Sequence, residues 1–276
     1  MHPGAWGGIL AMAADCGHDE PQAKTPRLPA VKGTLAIVPV MGVIGQRMDW
    51  YSDVGTEQLG RSMDELMANP AIGAVLLNID SPGGTVYGTP ELGEKIRGYR
   101  GDKPLYAVAN ATAFSAAYWL GSQVDKLFVT PSGSVGSIGV WSAHMDVSGY
   151  EEMMGVKTTL VSAGKYKIEG HPWAPLDDEA RAEMQREVDM YHAMFIDGVA
   201  KGRDVRASVV REQYGQGRII EAPRAVELGM ADGIATLDEV IGGLLKTQGD
   251  RKQSAMDKLA AMDKLAAMEA AVKVRQ

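Results

Sequence analysis

Three short stretches of the chain carry side chains that could do chemistry together. The first is Asn110-Ala-Thr-Ala-Phe-Ser-Ala-Ala-Tyr118, with Ser115 at the junction of an apolar, strand-like run and a short helix-like run. A serine there has its hydroxyl at the carboxyl end of the strand. The first amides of the helix then point toward any oxyanion formed on its substrate. Ala116 and Ala117 leave room for a substrate backbone. Taken alone, the same pattern describes an ordinary helix cap. The second stretch is Ser81-Pro-Gly-Gly84, whose glycines permit positive φ and close approach of another backbone. The third is Ser162-Ala-Gly-Lys-Tyr-Lys-Ile-Glu-Gly170. A lysine acts as a general base only when largely deprotonated, which an apolar pocket promotes by disfavouring the charged form. A single lysine is ordinarily a solvated surface charge, and the residues alone leave Lys165 and Lys167 both open.

The elements that must position these groups follow from hydrophobic pattern. Leu35 to Ile44 is apolar and β-branched, as a buried strand requires, and Pro39 within it predicts an edge position or a bulge. Leu59, Met63, Leu66 and Met67 stand at helical spacing over residues 55–68, and Asn69-Pro70 ends that helix. Ala74 to Ile79 reads as a second strand, Asp80 to Thr85 as a glycine turn, and residues 88–99 as a helix. Further strands are expected at Pro104–Ala109, Lys126–Thr130 and Val156–Val161, with a short helix over Ser115–Gly121. A long helix is expected from about Asp177 to Lys201, capped by Asp177 and stopped by Gly202. Its buried stripe is Met184, Val188, Tyr191, Phe195 and Val199. Gly217 to Leu245 reads as a short strand, two helices and a further strand. Strands alternating with helices indicate an α/β fold with a mainly parallel sheet.

In order and spacing the chain resembles the signal peptide peptidase A family, Ser-Lys peptidases of the Clp/crotonase fold. The resemblance rests on Asn78-Ile-Asp-Ser-Pro-Gly-Gly84, Ala113-Phe-Ser-Ala-Ala-Tyr118, Thr130-Pro-Ser-Gly-Ser-Val-Gly-Ser-Ile-Gly-Val140 and Gly164-Lys-Tyr-Lys167, and covers roughly residues 34–245. It implies repeated ββα units, Ser115 as nucleophile and Lys167 as its general base. It implies an oxyanion hole from the amides of Gly84 and Ala116, and a Ser-Pro-Gly-Gly edge (Pro82, Gly83 and Thr85) that pairs with an extended substrate. It also implies a homo-oligomer. Soluble members of the family resemble the head-maturation proteases of tailed phages, so a phage capsid or scaffold protein is the expected substrate. A peptidase of leftover signal peptides, a crotonase-type acyl-CoA enzyme and a silent assembly protein are the alternatives. Clp-type relatives use Ser-His-Asp, which makes His144 a rival base, although a lone histidine is ordinarily structural or on the surface and is read so here. His171, close in sequence to Lys167, is a candidate to line the site.

Composition narrows the rest. The chain has 276 residues, 45% of them apolar, and a net charge of −7. That balance, with only three Phe, speaks against nucleic-acid binding. One cysteine, Cys16, permits neither an intrachain disulfide nor a cysteine-rich zinc site. Glu169, Asp177 and Asp178 are not at ligand spacing with histidines, and the glycines of 133–139 lack a nucleotide-loop ending, so no metal and no cofactor is expected. The start lacks a charged signal-peptide region, and no run of ~18 apolar residues predicts a membrane span. A cytoplasmic protein is expected, in the host or the phage prohead. The domain reading is an N-terminal arm over 1–33, a peptidase domain over 34–246 and an Ala-rich helical tail over 247–276 that could serve as a scaffold-like segment. In that tail Met-Asp-Lys-Leu-Ala-Ala repeats at Met256 and Met262. A six-residue step turns a helix by about 240° net, so the repeat builds no single buried face.

Overall fold

The computed structural model describes residues 33–245; the expected N-terminal arm, apart from Gly33, and the tail lie outside the described residues. The strands are β1 (Thr34–Gly45), β2 (Val54–Gly55), β3 (Ile72–Gly84), β4 (Leu105–Phe114), β5 (Lys126–Val129), β6 (Ser134–Gly136), β7 (Ile219–Glu221) and β8 (Gly233–Ile234). The helices are α1 (Thr56–Ala68), α2 (Thr89–Gly98), α3 (Ala116–Gly121), α4 (Ser148–Met153), α5 (Asp178–Arg203), α6 (Ala207–Gln213) and α7 (Ala222–Glu227), followed by a helix over 237–245. The main sheet runs β2-β1-β3-β4-β5-β8, and every pairing is parallel except β6 with β7. This is the expected α/β architecture.

Parallel strands buried on both faces should read as continuous apolar runs, and β3 and β4 do. Val75, Leu77 and Ile79 face the larger core with Met63, Ile96, Leu120 and Val199, whereas Ala74 and Leu76 face a smaller core under Val240 and Leu244 of the last helix. Pro39 sits in β1, which has a neighbour on only one side along most of its length and shifts register between Met41 and Val43. A residue without an N–H is tolerated there.

Four expectations are corrected. Asp80–Gly84 is not a turn but the end of β3, with Gly83 and Gly84 paired to Val43 and Ile44. Val156–Val161 forms no strand; the segment is largely exposed and pairs with no strand among the described residues, so its β propensity goes unused. The last stretch is ordered strand, helix, strand, helix rather than strand, two helices, strand. Asp177 does cap α5, accepting from Ala180 N at 2.7 Å, but the helix runs past Gly202 to Arg203 and ends at Asp204 in the left-handed region. Only its second half, with Phe195 and Val199, is buried; Met184, Val188 and Tyr191 are half-exposed.

The end of α5 is fastened to the sheet by a largely buried ion pair. Arg203 Nη1 lies 2.8 Å from Asp232 Oδ2, which also accepts from the Leu127 amide at 2.8 Å. Burial pushes the Asp232 carboxyl up, but hydrogen bonds and charge from Arg203 outweigh it and hold the group below the usual aspartate range. Asp232→Asn is expected to cost about 3 kcal/mol at pH 7, because it leaves a buried guanidinium unpaired. Because the folded carboxyl is depressed, the stabilisation is full above the unfolded value near 3.9 and is lost as pH falls through the folded one. The gap in melting temperature between wild type and Asp232→Asn should therefore be constant near neutrality and close below about pH 4. A gap that persists unchanged into acid would refute the charge-based account.

Candidate active site

Ser115 stands between the end of β4 and the start of α3 with φ 52° and ψ −123°, a conformation costly for any residue but glycine. Its neighbours enforce it. The Ser115 amide donates to Gly136 O at 2.8 Å, on the adjacent strand β6, and its carbonyl accepts from Trp119 N at 2.9 Å within the helix. The side chain makes no capping hydrogen bond, so the hydroxyl is not committed to holding the helix. A strained strand-to-helix turn that leaves a serine hydroxyl free of the helix cap is a geometry able to present a nucleophile.

The Ser-Pro-Gly-Gly segment lies against this turn. Gly83 has φ +96°, and a Cβ there would fall 2.6 Å from Ser115 Cβ and 2.7 Å from Phe114 O. A Cβ on Gly84 would fall 1.8 Å from Ile44 O. Both positions therefore demand glycine, one for the approach to Ser115 and one for the approach to β1. The buried Ser81 hydroxyl donates to Gly42 O at 2.6 Å and accepts from Gly83 N at 3.1 Å, and Thr85 N donates to Ile44 O at 2.9 Å. The strand end is thus pinned from both sides.

Ser115, Ala116, Gly84 and Thr85 line one cavity of about 220 Å³, whose apolar side is made by Trp119 and Phe195. Those two rings stack 4.8 Å apart at 10°. Ala116 is the first residue of α3, so its N–H has no intrahelical acceptor. Pro82 is exposed and Gly83 is buried behind Ser115; neither lines the cavity. Trp119 follows Ser115 by four residues and so shares its helix face, a signal present in the sequence. Phe195 was visible only as part of a buried stripe, and Val140 and Trp141, which complete the rim, gave no sign.

Lys167 is placed elsewhere. It lies in an exposed turn over 163–170, its amide donating to Gly164 O at 3.2 Å, and it is not among the residues that line the cavity. Lys165 is tied to Tyr166 Oη at 2.6 Å and Glu179 Oε1 at 3.0 Å, and these two partners hold it above the ordinary lysine range. It is thereby kept charged and unsuited to accept a proton. His144 lines a separate cleft with Asp146 and Arg181, its Nε2 3.0 Å from His171 O. Neither it nor His171 reaches the Ser115 cavity.

Comparison with known proteins places the chain in a family. Residues 99–249 match peptidase family S49. The head-tail preconnector protein GP5 of Enterobacteria phage P21 is 30% identical over 219 residues, covering 78% of this chain and 43% of that protein. The capsid assembly protease C of Escherichia phage lambda is 28% identical over 236 residues, covering 84% and 53%. The chain thus spans about half the length of these relatives. Among solved structures, the 1510-N membrane-bound stomatin-specific protease superposes with a TM-score of 0.50 at 12% identity, over 77% of this chain and 84% of that one, a likeness of fold. No helix among the described residues is long and apolar enough to cross a membrane.

Proposed function

The chain belongs to peptidase family S49, and from that premise we propose that it is a serine endopeptidase acting through an acyl-enzyme on Ser115. The observation that carries the reading is the strained Ser115 turn, backed by Gly83 and opening with Gly84 and Ala116 into one apolar cavity. Ser115 Oγ attacks the scissile carbonyl, and its proton passes to Lys167. The amides of Gly84 and Ala116 hold the oxyanion. Lys167 returns the proton to the leaving amine, and water resolves the ester. The substrate is a polypeptide of a phage capsid or its scaffold, a role supported by the two phage relatives.

The distance of Lys167 from the cavity is met by assembly. Residues 141–176 hold a single two-turn helix and leave Trp141 at 85% and Val161 at 94% exposed, with Met145 and Met153 beside them. Apolar side chains so exposed mark a surface that another chain covers. Packing this segment against further copies of the chain brings a Lys167 to each Ser115. A homo-oligomer is therefore the active form.

The test is labelling of the full chain with a fluorophosphonate, followed by mapping of the adduct. The expected result is a single adduct on Ser115. Absence of labelling at Ser115, with labelling at another serine, would remove the assignment.

A further inference from the structure

Beside the Ser115 cavity lies a larger cleft, of about 430 Å³. The two are built on the same walls. Val86 lines both, and where α5 gives Phe195 to the first it gives Tyr191 and Met194 to the second. An extended peptide places the side chains of residues i and i+2 on one side about 7 Å apart, so a chain seated at Ser115 and crossing Val86 delivers a second side chain to this cleft.

Its lining has a definite chemistry. Tyr87 and Tyr191 meet edge to face at 6.3 Å, and Tyr87 is well exposed. Lys95, the one cation in the wall among the described residues, is engaged by Asp64 and by Gly60 O, and Glu57 is engaged by Arg47 at 3.2 Å. Glu91, in the first turn of α2, has no hydrogen-bond or ion-pair partner among the described residues. An open tyrosine face beside an unpaired carboxylate suits a cation on an aliphatic stem, which the rings cover and the carboxylate neutralises. We propose that this cleft is an outer subsite of the peptide groove that takes a lysine or arginine of the substrate, two residues from the side chain seated beside Ser115. The inference rests on the peptidase reading above.

The test uses matched fluorogenic peptides carrying Lys, Gln or Glu at each of three positions on either side of the scissile bond, with the full-length wild type and Glu91→Lys. At one position, two residues from that seated in the Ser115 cavity, Lys should exceed Glu about tenfold in kcat/KM. Glu91→Lys should invert that preference, so that the Glu peptide exceeds the Lys peptide at the same position. An unchanged Lys/Glu ratio in Glu91→Lys would overturn the subsite. Binding of the same peptides to Ser115→Ala separates the two readings. Charge-selective binding that Glu91→Lys inverts in the same background, without turnover by wild type, overturns the peptidase and upholds the subsite. Turnover without charge selectivity does the reverse, and neither binding nor turnover overturns both.

Discussion

Ser115→Ala is expected to lower kcat/KM on an unstructured polypeptide by at least a hundredfold, in keeping with the losses that follow removal of a nucleophile, and to leave the fold unchanged. The second half of this expectation is the more specific. The Ser115 side chain makes no capping hydrogen bond, so truncation removes none. Alanine suffers the same strain at φ 52° as serine, so the backbone cost is not relieved. Stability should therefore stay within about 0.5 kcal/mol of wild type. Ser115→Gly supplies the contrast. Glycine accepts the left-handed conformation, and relief of a strain of roughly 1–3 kcal/mol exceeds its entropic cost of about 0.5–1 kcal/mol. That variant should be equally inactive yet melt about 2–4 °C above Ser115→Ala, the shift that about 1 kcal/mol gives a domain of this size. A serine whose strain serves catalysis is one the fold would be more stable without. If Ser115→Ala keeps more than about a hundredth of wild-type activity, the nucleophile is another residue. If Ser115→Gly is the less stable variant, the turn is not strained in the manner described.

What the sequence disclosed and what it withheld divide by the range of the interactions. The junction that holds Ser115 is local: an apolar run ends, a helix begins, and the residue between them is placed by both. Gly83 and Gly84 were legible as positions for positive φ and close backbone approach, although which backbone approaches was not. Gly84 is pressed against Ile44 O of β1, forty residues earlier, and no local pattern reveals that strand's approach. Asp80–Gly84 was misread as a turn because Pro and two glycines are turn residues by propensity, whereas pairing with β1 keeps the segment extended. The wall of the cavity was half visible. Trp119 follows from helical spacing, whereas Phe195 reaches the site from a helix eighty residues on. The segment from 141 to 176 was the least legible, because many of its apolar residues, Met145, Met153 and Val161 among them, are exposed and join no core cluster of the described residues. Val156–Val161 has the residues of a strand, but β propensity alone forms none where the segment is exposed and pairs with no strand among the described residues.

The same segment decides the base. Lys167→Ala and Lys167→Arg are both expected to lose activity by at least a hundredfold, and for one reason. Arginine keeps the charge, but with a pKa above about 12 it cannot accept the serine proton near neutrality. Lys165→Ala should stay within a few-fold of wild type. Its ammonium is held by Tyr166 and Glu179, which favour the protonated form, so its loss removes a surface ion pair and not a proton acceptor. His144→Ala should also retain activity, since its ring faces His171 O in a cleft that does not include Ser115. Assembly adds a sharper condition. If each Lys167 serves the Ser115 of another copy, Ser115→Ala and Lys167→Ala chains, each inactive alone, should regain partial activity when dissociated and reassembled together. A mixed oligomer would then hold sites with an intact serine from one variant and an intact lysine from the other. No recovery on mixing would place both groups of a dyad in one copy, with residues 141–176 folding back over their own cavity. Activity in Lys167→Arg, together with its loss in His144→Ala, would replace the Ser-Lys dyad by a Ser-His pair. The strained turn at Ser115, Gly83 behind it and Gly84 in the cavity wall would keep their roles under either base, since they present the nucleophile and the oxyanion hole and not the proton acceptor.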